Sequence, residues 1–307
     1  MDSKKGDTAL KIADQQGYVT LSMQIPVGSA DVKEMIAQKL YADKTAYITQ
    51  LFKTNGIYYF FTRPRRFGKS LLLDTIDQIA KGNKALFKAC AIYRDKTYKW
   101  KKYPVVWLNF SELVSKEPEL LEKELQYKLL EVANKYGINK LKAPSLSTKL
   151  SELINILGRL QEGYEPTPII LIDEYDSPLI SCEKAQYEEV LALLSSFFKV
   201  LKSRQKDCKF IFITGVTKFH LSGLTSGANS ANDISFHEDY AEMLGYTEED
   251  IDNLFLSKNT IVHPILERLN RKNNQEEKYT FIQLKQALKD YYNGYCFTAD
   301  KMVSVYN

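Results

Sequence analysis

The chain of 307 residues is 44% hydrophobic and 26% charged, with a net charge of +4 and a pI of about 8.6. That is globular composition, enough for one large or two modest domains, and it shows no internal repeat or low-complexity segment. No apolar run approaches the roughly 20 residues of a membrane helix, residues 2–6 are charged or small with no apolar core after them, and the four cysteines are far apart, so the chain reads as soluble and cytoplasmic with its cysteines as free thiols.

Residues 1–24 lack a strong periodic pattern and read as an N-terminal extension. Asp31 to Gln38 predicts a short helix with Val32, Met35 and Ile36 on one side, and Tyr41-Ala-Asp-Lys-Thr45 precedes a second helix through Leu51. Lys44 in that string reads either as a phosphate or base contact or as an exposed, ion-paired lysine. The aromatic and β-branched run 57–61 predicts a strand. Apolar spacing predicts a helix over 70–81. Between them lies Thr62-Arg-Pro-Arg-Arg-Phe-Gly-Lys-Ser70.

Strand, loop and helix around Gly-Lys-Ser is the arrangement that cradles nucleotide phosphates. The helix N-terminus directs its free N–H groups at the phosphates. Lys69 is expected to reach the β- and γ-phosphates and Ser70 Oγ to ligate Mg²⁺, with Arg65, Arg66, Phe67, Gly68 and Leu71 completing the binding segment. The full pattern has a glycine where this chain has Arg63. Pro64 disfavours the α region for Arg63, so a sharp, stiff loop with its own path is expected.

Lys99-Trp-Lys-Lys-Tyr103 mixes basic and aromatic residues. It reads as a solvated approach to the strand 104–110 rather than as a nucleic-acid surface, and the mild overall charge permits nucleic-acid contact without arguing for it. Helices are predicted over 117–136 and 147–162. The apolar run 168–173 then predicts a strand buried on both faces of a parallel sheet. It ends in Asp173 and Glu174. Asp173 is placed to hold Mg²⁺, through water, and Glu174 to act as general base on the attacking water. Asp176, Ser177 and Pro178 read as loop residues.

A helix over 184–204 leads to the strand 209–214, whose tip carries Thr214, the candidate sensor of the γ-phosphate, with Thr217 and Lys218 behind it. Residues 219–238, rich in Ser, Gly, Asn and Asp, predict a loop. Thr247-Glu-Glu-Asp250 is a capping-box-like helix start, and a helical region to about Tyr292 reads as a small lid. Glu276-Glu-Lys278 matches a nuclease E-x-K string but lies in a polar charge run and reads as a solvated loop. The histidines His220, His237 and His263 have no ligand spacing with the cysteines, which argues against zinc.

The strings Tyr41–Thr45, Arg63–Ser70, Asp173–Asp176, Gly215–Lys218, Leu224–Asn229, Asp233–Phe236 and Tyr292–Tyr295 resemble the AAA-ATPase-like family of prokaryotic P-loop proteins. The resemblance runs from about Ile25 to the last residue. It implies an α/β, ASCE-type P-loop NTPase, with a parallel sheet covered by helices and a small C-terminal helical lid. It also implies that Arg is usual where the loop's first glycine would stand. The strand 104–110, lying between the phosphate-loop strand and the acidic strand, is read as the extra ASCE strand. The expected organisation is an extension over 1–24, an ATPase core over 25–238, and a lid with the start of a connection over 239–307. Members commonly continue into a PD-(D/E)xK nuclease-like domain, so this chain is expected to be truncated or an N-terminal fragment. ATP and Mg²⁺ are the implied ligands. A protein partner, a homo-oligomer or a nucleic acid are left open as partners, and no membrane is expected. Two functions follow: an ATPase coupling hydrolysis to conformational change, or a nucleotide-gated interaction module with little turnover. An inactive relic of an ATPase–nuclease protein is the third reading.

Overall fold

Four unbroken apolar runs form most of one sheet, and their residue types explain both the strands and their burial. In a computed structural model they are β3 (Ile57–Thr62), β4 (Val105–Asn109), β5 (Ile169–Asp173) and β6 (Phe210–Gly215). The structure describes residues 10–14, 17–21, 29–160, 163–218, 231–256, 266–267, 270, 280–292, 294–298 and 304–307. It divides into two compact units, Met1–Ala42 with Gly245–Asn307, and Asp43–Leu244.

The unit Asp43–Leu244 holds the sheet. A short strand β7 (Ala231–Asp233) joins it, giving the order β4-β5-β6-β3-β7, and every neighbouring pair is parallel. This corrects one element of the sequence reading. The strand that separates the phosphate-loop strand from the acidic strand is β6, whereas β4 lies at the sheet's edge beyond β5. β7 falls inside the segment predicted as loop; its Ala-Asn-Asp sequence has no apolar alternation to signal a strand.

Alternate strand residues build one core. Tyr58 and Phe60, Val106 and Leu108, Ile170 and Ile172, Ile211 and Ile213 all join a cluster with the buried sides of the helices Pro118–Lys135, Leu146–Leu157 and Tyr187–Ser203. Each such aliphatic or aromatic side chain contributes about 1.5–3 kcal/mol on burial. The intervening residues face the other way. There Phe52 of α2 (Thr45–Lys53) packs edge-on to Phe210 with centroids 5.3 Å apart, and α3 (Lys69–Ala80) lies against β5. Helices on both faces of a parallel sheet make this an α/β fold.

Helix ends follow local chemistry. The Ser145 hydroxyl and Thr148 form a reciprocal capping box at the start of the helix Leu146–Leu157, and Gly158 ends it, earlier than the predicted residue 162. Asp43 caps two helices at once, accepting from Thr45 N at 3.0 Å and from Ala91 N at 2.6 Å. Lys44 beside it is buried, which overturns the exposed reading of that lysine.

In the unit Met1–Ala42 with Gly245–Asn307, the hairpin β1 (Leu10–Asp14) and β2 (Gly17–Leu21) pairs antiparallel within the segment read as a patternless extension. The helix α1 spans Val32–Ala37. The predicted capping box at Thr247 is present, with reciprocal bonds to Asp250 at 3.0 and 2.9 Å. A helix runs from Phe281 to Tyr292. The Glu276–Lys278 string, the Leu224–Asn229 string, His220 and His263 lie outside the described residues. Among the described residues no helix is long and apolar enough to cross a membrane.

Candidate functional site

Parallel register brings three strand ends together. Thr62 stands beside Gly215 and Phe61 beside Thr214, while Ile172 stands beside Ile213. The carboxyl ends of β3, β6 and β5 are therefore level, at the edge where open α/β sheets bind ligands.

The loop after β3 does not turn where a first glycine would turn it. Arg63 continues the ladder, its N–H donating to Gly215 O at 3.2 Å. The turn falls later, where Arg66 (φ 69°) and Gly68 (φ 84°) are left-handed, Gly68 forming the N-cap of α3. Arg65 and Arg66 are exposed, Phe67 is buried and Leu71 is half-buried.

Arg63 itself is 1% exposed. Its Nη1 donates to Thr62 O at 2.9 Å and to Ser235 O at 2.5 Å, Nη2 donates to Tyr240 O at 3.4 Å, and the guanidinium lies 4.3 Å over the Phe61 ring. Burial pulls its pKa down to about 9, against the attraction of Asp233. The side chain braces β3 against the segment 235–240. Ser235 Oγ completes the brace by accepting from Thr62 N at 2.9 Å.

Lys69 is 5% exposed, and its Nζ donates to Arg63 O at 3.1 Å and Pro64 O at 2.9 Å. Burial pushes its pKa below the ordinary value, opposed by Asp173 and Glu174. The ammonium is thus held inside the curl of the loop by two carbonyls. Ser70 Oγ donates to Asp173 Oδ2 at 2.5 Å. Asp173 is 1% exposed, and its other oxygen accepts from Thr214 Oγ1 at 2.5 Å and from Glu174 N at 3.0 Å. Thr214 is therefore engaged with the carboxylate that Ser70 also meets.

Glu174 follows with φ 50°. A left-handed backbone at a residue other than glycine costs about 1–3 kcal/mol and marks sites where function holds the strain. Among the described residues three such positions occur, and two of them, Arg66 and Glu174, lie here.

Sequence reasoning passed over the contacts beneath these groups. Asp176 is buried and accepts from Val216 N at 3.1 Å, Thr217 N at 2.9 Å and Thr217 Oγ1 at 3.0 Å. Tyr175 OH donates to Thr217 O at 2.7 Å, and a Cβ on Gly215 would stand 2.4 Å from the Tyr175 ring. Thr217 is held by Asp176, and Lys218 pairs with Asp233 at 2.6 Å. The Asp-Glu-Tyr-Asp and Gly-Val-Thr-Lys strings are thus two halves of one interlock. Their joint presence in the sequence was the available signal.

The donor set fits a magnesium–nucleotide complex. A hydroxyl and a buried carboxylate suit a hard cation, and a lysine inside a loop at a helix N-terminus suits phosphates.

The chain matches the model of the AAA-ATPase-like family, described as predicted AAA-ATPase, over residues 26–225. It is 30% identical over 270 residues to an uncharacterized protein in the vnfD 5' region of Azotobacter chroococcum mcd 1, covering 87% of this chain and 46% of that protein. It therefore spans about half the length of that curated relative. Among solved structures, the Walker-type ATPase paby2304 of Pyrococcus abyssi superposes with a TM-score of 0.43 at 17% identity, covering 80% of this chain and 61% of that one.

Proposed function

The chain belongs to the predicted AAA-ATPase family, and from that premise we propose that it binds ATP with Mg²⁺ at the Arg63–Leu71 loop, hydrolyses it and couples nucleotide state to conformation. The observation that carries this reading is the Ser70 Oγ–Asp173 Oδ2 bond at 2.5 Å, which joins the loop's hydroxyl to the strand-end carboxylate.

In this reading Lys69 exchanges its loop carbonyls for phosphate oxygens. Ser70 and Asp173 hold Mg²⁺, which supplies charge neutralisation when bound. Thr214 positions the Asp173 carboxylate. Glu174 takes the proton from the attacking water. Arg65 and Arg66, exposed beside the turn, add positive charge to the approach, and the buried Phe67 fixes the loop's floor.

A nucleotide-gated switch with little turnover is the second reading. One observation favours it: the Thr214 hydroxyl, the candidate γ-phosphate sensor, is engaged by Asp173 at 2.5 Å.

Phosphate release with MgATP, measured on the wild type beside Glu174→Gln, tests the proposal. Turnover in the wild type and a loss of about 10²-fold or more in the variant, with ATP still bound, is the expected result. Equal turnover in both would place the base elsewhere. Binding without turnover in either would favour the switch.

A further inference from the structure

The segment 81–102 carries eight Lys or Arg residues against one Asp, a net +7, in a chain whose total is +4, so the remaining residues sum to −3. The modest whole-chain charge conceals this concentration. The reading of Lys99–Tyr103 alone as a solvated approach missed it because five of the eight cations, Lys81, Lys84, Lys88, Arg94 and Lys96, lie before that string.

The structure closes the segment that carries these cations on itself. The segment leaves α3, makes a 3-10 turn (Lys84–Phe87) and a short helix (Ala91–Arg94), and returns to β4. Its feet meet, because Tyr103 N donates to Ala80 O at 2.8 Å and Lys102 lies across Gly82. It therefore forms one closed excursion between the end of α3 and the start of β4.

Lys81 and Lys101 are paired, with Asp77 and Glu165. Lys84, Lys88, Arg94, Lys96, Lys99 and Lys102 are all exposed, and none forms an ion pair among the described residues. Six like charges on one 22-residue excursion without ion-pair partners repel one another, a cost that a polyanion would reverse.

The aromatic residues decide which polyanion. Trp100 stacks on Phe87 with centroids 6.2 Å apart, and Tyr98 packs edge-on to Trp100 at 5.2 Å. They hold the excursion rigid and leave no row of free rings on which single-stranded bases could stack. A membrane surface would need inserted apolar side chains beside the cations, and the exposed large hydrophobic residue here is Tyr93, at 39%, with Lys84 over its ring. A rigid set of cations without rings or greasy anchors suits the repeated phosphates of a duplex.

We propose that the excursion 81–102 is a docking surface for the phosphate backbone of duplex DNA, bound without sequence preference.

Fluorescence anisotropy with a labelled 30-bp mixed-sequence duplex tests this. Engaging four or more phosphates predicts a logarithmic salt slope of about −4, so that affinity falls roughly 200-fold between 50 and 200 mM salt. The triple variant Lys84→Glu, Lys88→Glu, Lys99→Glu is expected to lose at least tenfold in affinity at 50 mM salt while keeping the wild-type melting temperature. Lys116→Glu, Lys123→Glu, Lys199→Glu makes the same change in net charge elsewhere on the exposed surface and is expected to bind within threefold of wild type. Equal losses in the two triples would show that net charge alone acts and would overturn the proposal. So would no duplex binding at 50 mM salt, stronger binding to a single strand of the same length, or binding to phosphatidylserine vesicles in place of DNA.

Discussion

Ser70 and Asp173, 103 residues apart in sequence, are joined by a 2.5 Å hydrogen bond. The bond exists because the parallel register of β3, β6 and β5 levels their carboxyl ends, and because α3 starts directly after the turn at Arg66 and Gly68. Loop hydroxyl and strand-end carboxylate are thereby held in one cluster.

Removing the hydroxyl should separate metal use from nucleotide binding. Ser70→Ala is expected to retain ATP binding through Lys69 but to lose most of the Mg²⁺ enhancement, with turnover reduced by about 10²-fold or more. Titrating ATP with and without Mg²⁺ checks this. An undiminished Mg²⁺ effect would remove Ser70 from the metal site.

Arg63 is a brace in this structure, its guanidinium held by the carbonyls of Thr62, Ser235 and Tyr240. Arg63→Gly, which restores the first glycine of the general loop pattern, is expected to destabilise the protein on the order of 3 kcal/mol by deleting hydrogen bonds from a buried charged group. Arg63→Lys should recover part of the loss. Chemical denaturation reads both, and wild-type stability in the glycine variant would refute the brace.

Gly215 admits the Tyr175 ring at a distance no Cβ tolerates, 2.4 Å. Gly215→Ala is expected to cost about 1–3 kcal/mol by overpacking and to lower turnover, because a displaced Tyr175 carries Glu174 with it. A melting temperature and phosphate-release rate equal to wild type would contradict the interlock.

Asp77 is raised above its ordinary value of 3.8, by burial first, against its bond and ion pair with Lys81. The folded chain then holds this proton more tightly than the unfolded chain. The contribution to stability is full below the unfolded value and is lost as pH rises through the folded value. Asp77→Asn should therefore flatten the fall in stability above pH 3.8 and be no less stable than wild type at neutral pH. Melting temperatures of both proteins across the acid range provide the comparison, and identical pH slopes would count against it.

Apolar runs made the sheet legible: strands read at 57–61, 104–110, 168–173 and 209–214 begin and end within a residue of β3, β4, β5 and β6. Strand order was not legible, since which run lies between two others depends on packing rather than on any one run. β7 was missed because its three residues carry no apolar pattern, and the β1–β2 hairpin because its signal is short. That Ser70 and Asp173 meet was legible from the order of the two strings in the chain. The roles of Arg63 and Asp176 were not. Their partners, Ser235 and Tyr240 for one and Val216 and Thr217 for the other, come together only once the sheet is built.

The central claim is that Lys69, inside the Arg63–Leu71 loop, binds the phosphates of ATP. Isothermal titration of the purified chain with MgATP, beside Lys69→Ala, tests it most directly. The account predicts saturable binding by the wild type and a loss of at least 100-fold in affinity in a variant that remains folded. An unchanged dissociation constant in Lys69→Ala would contradict it.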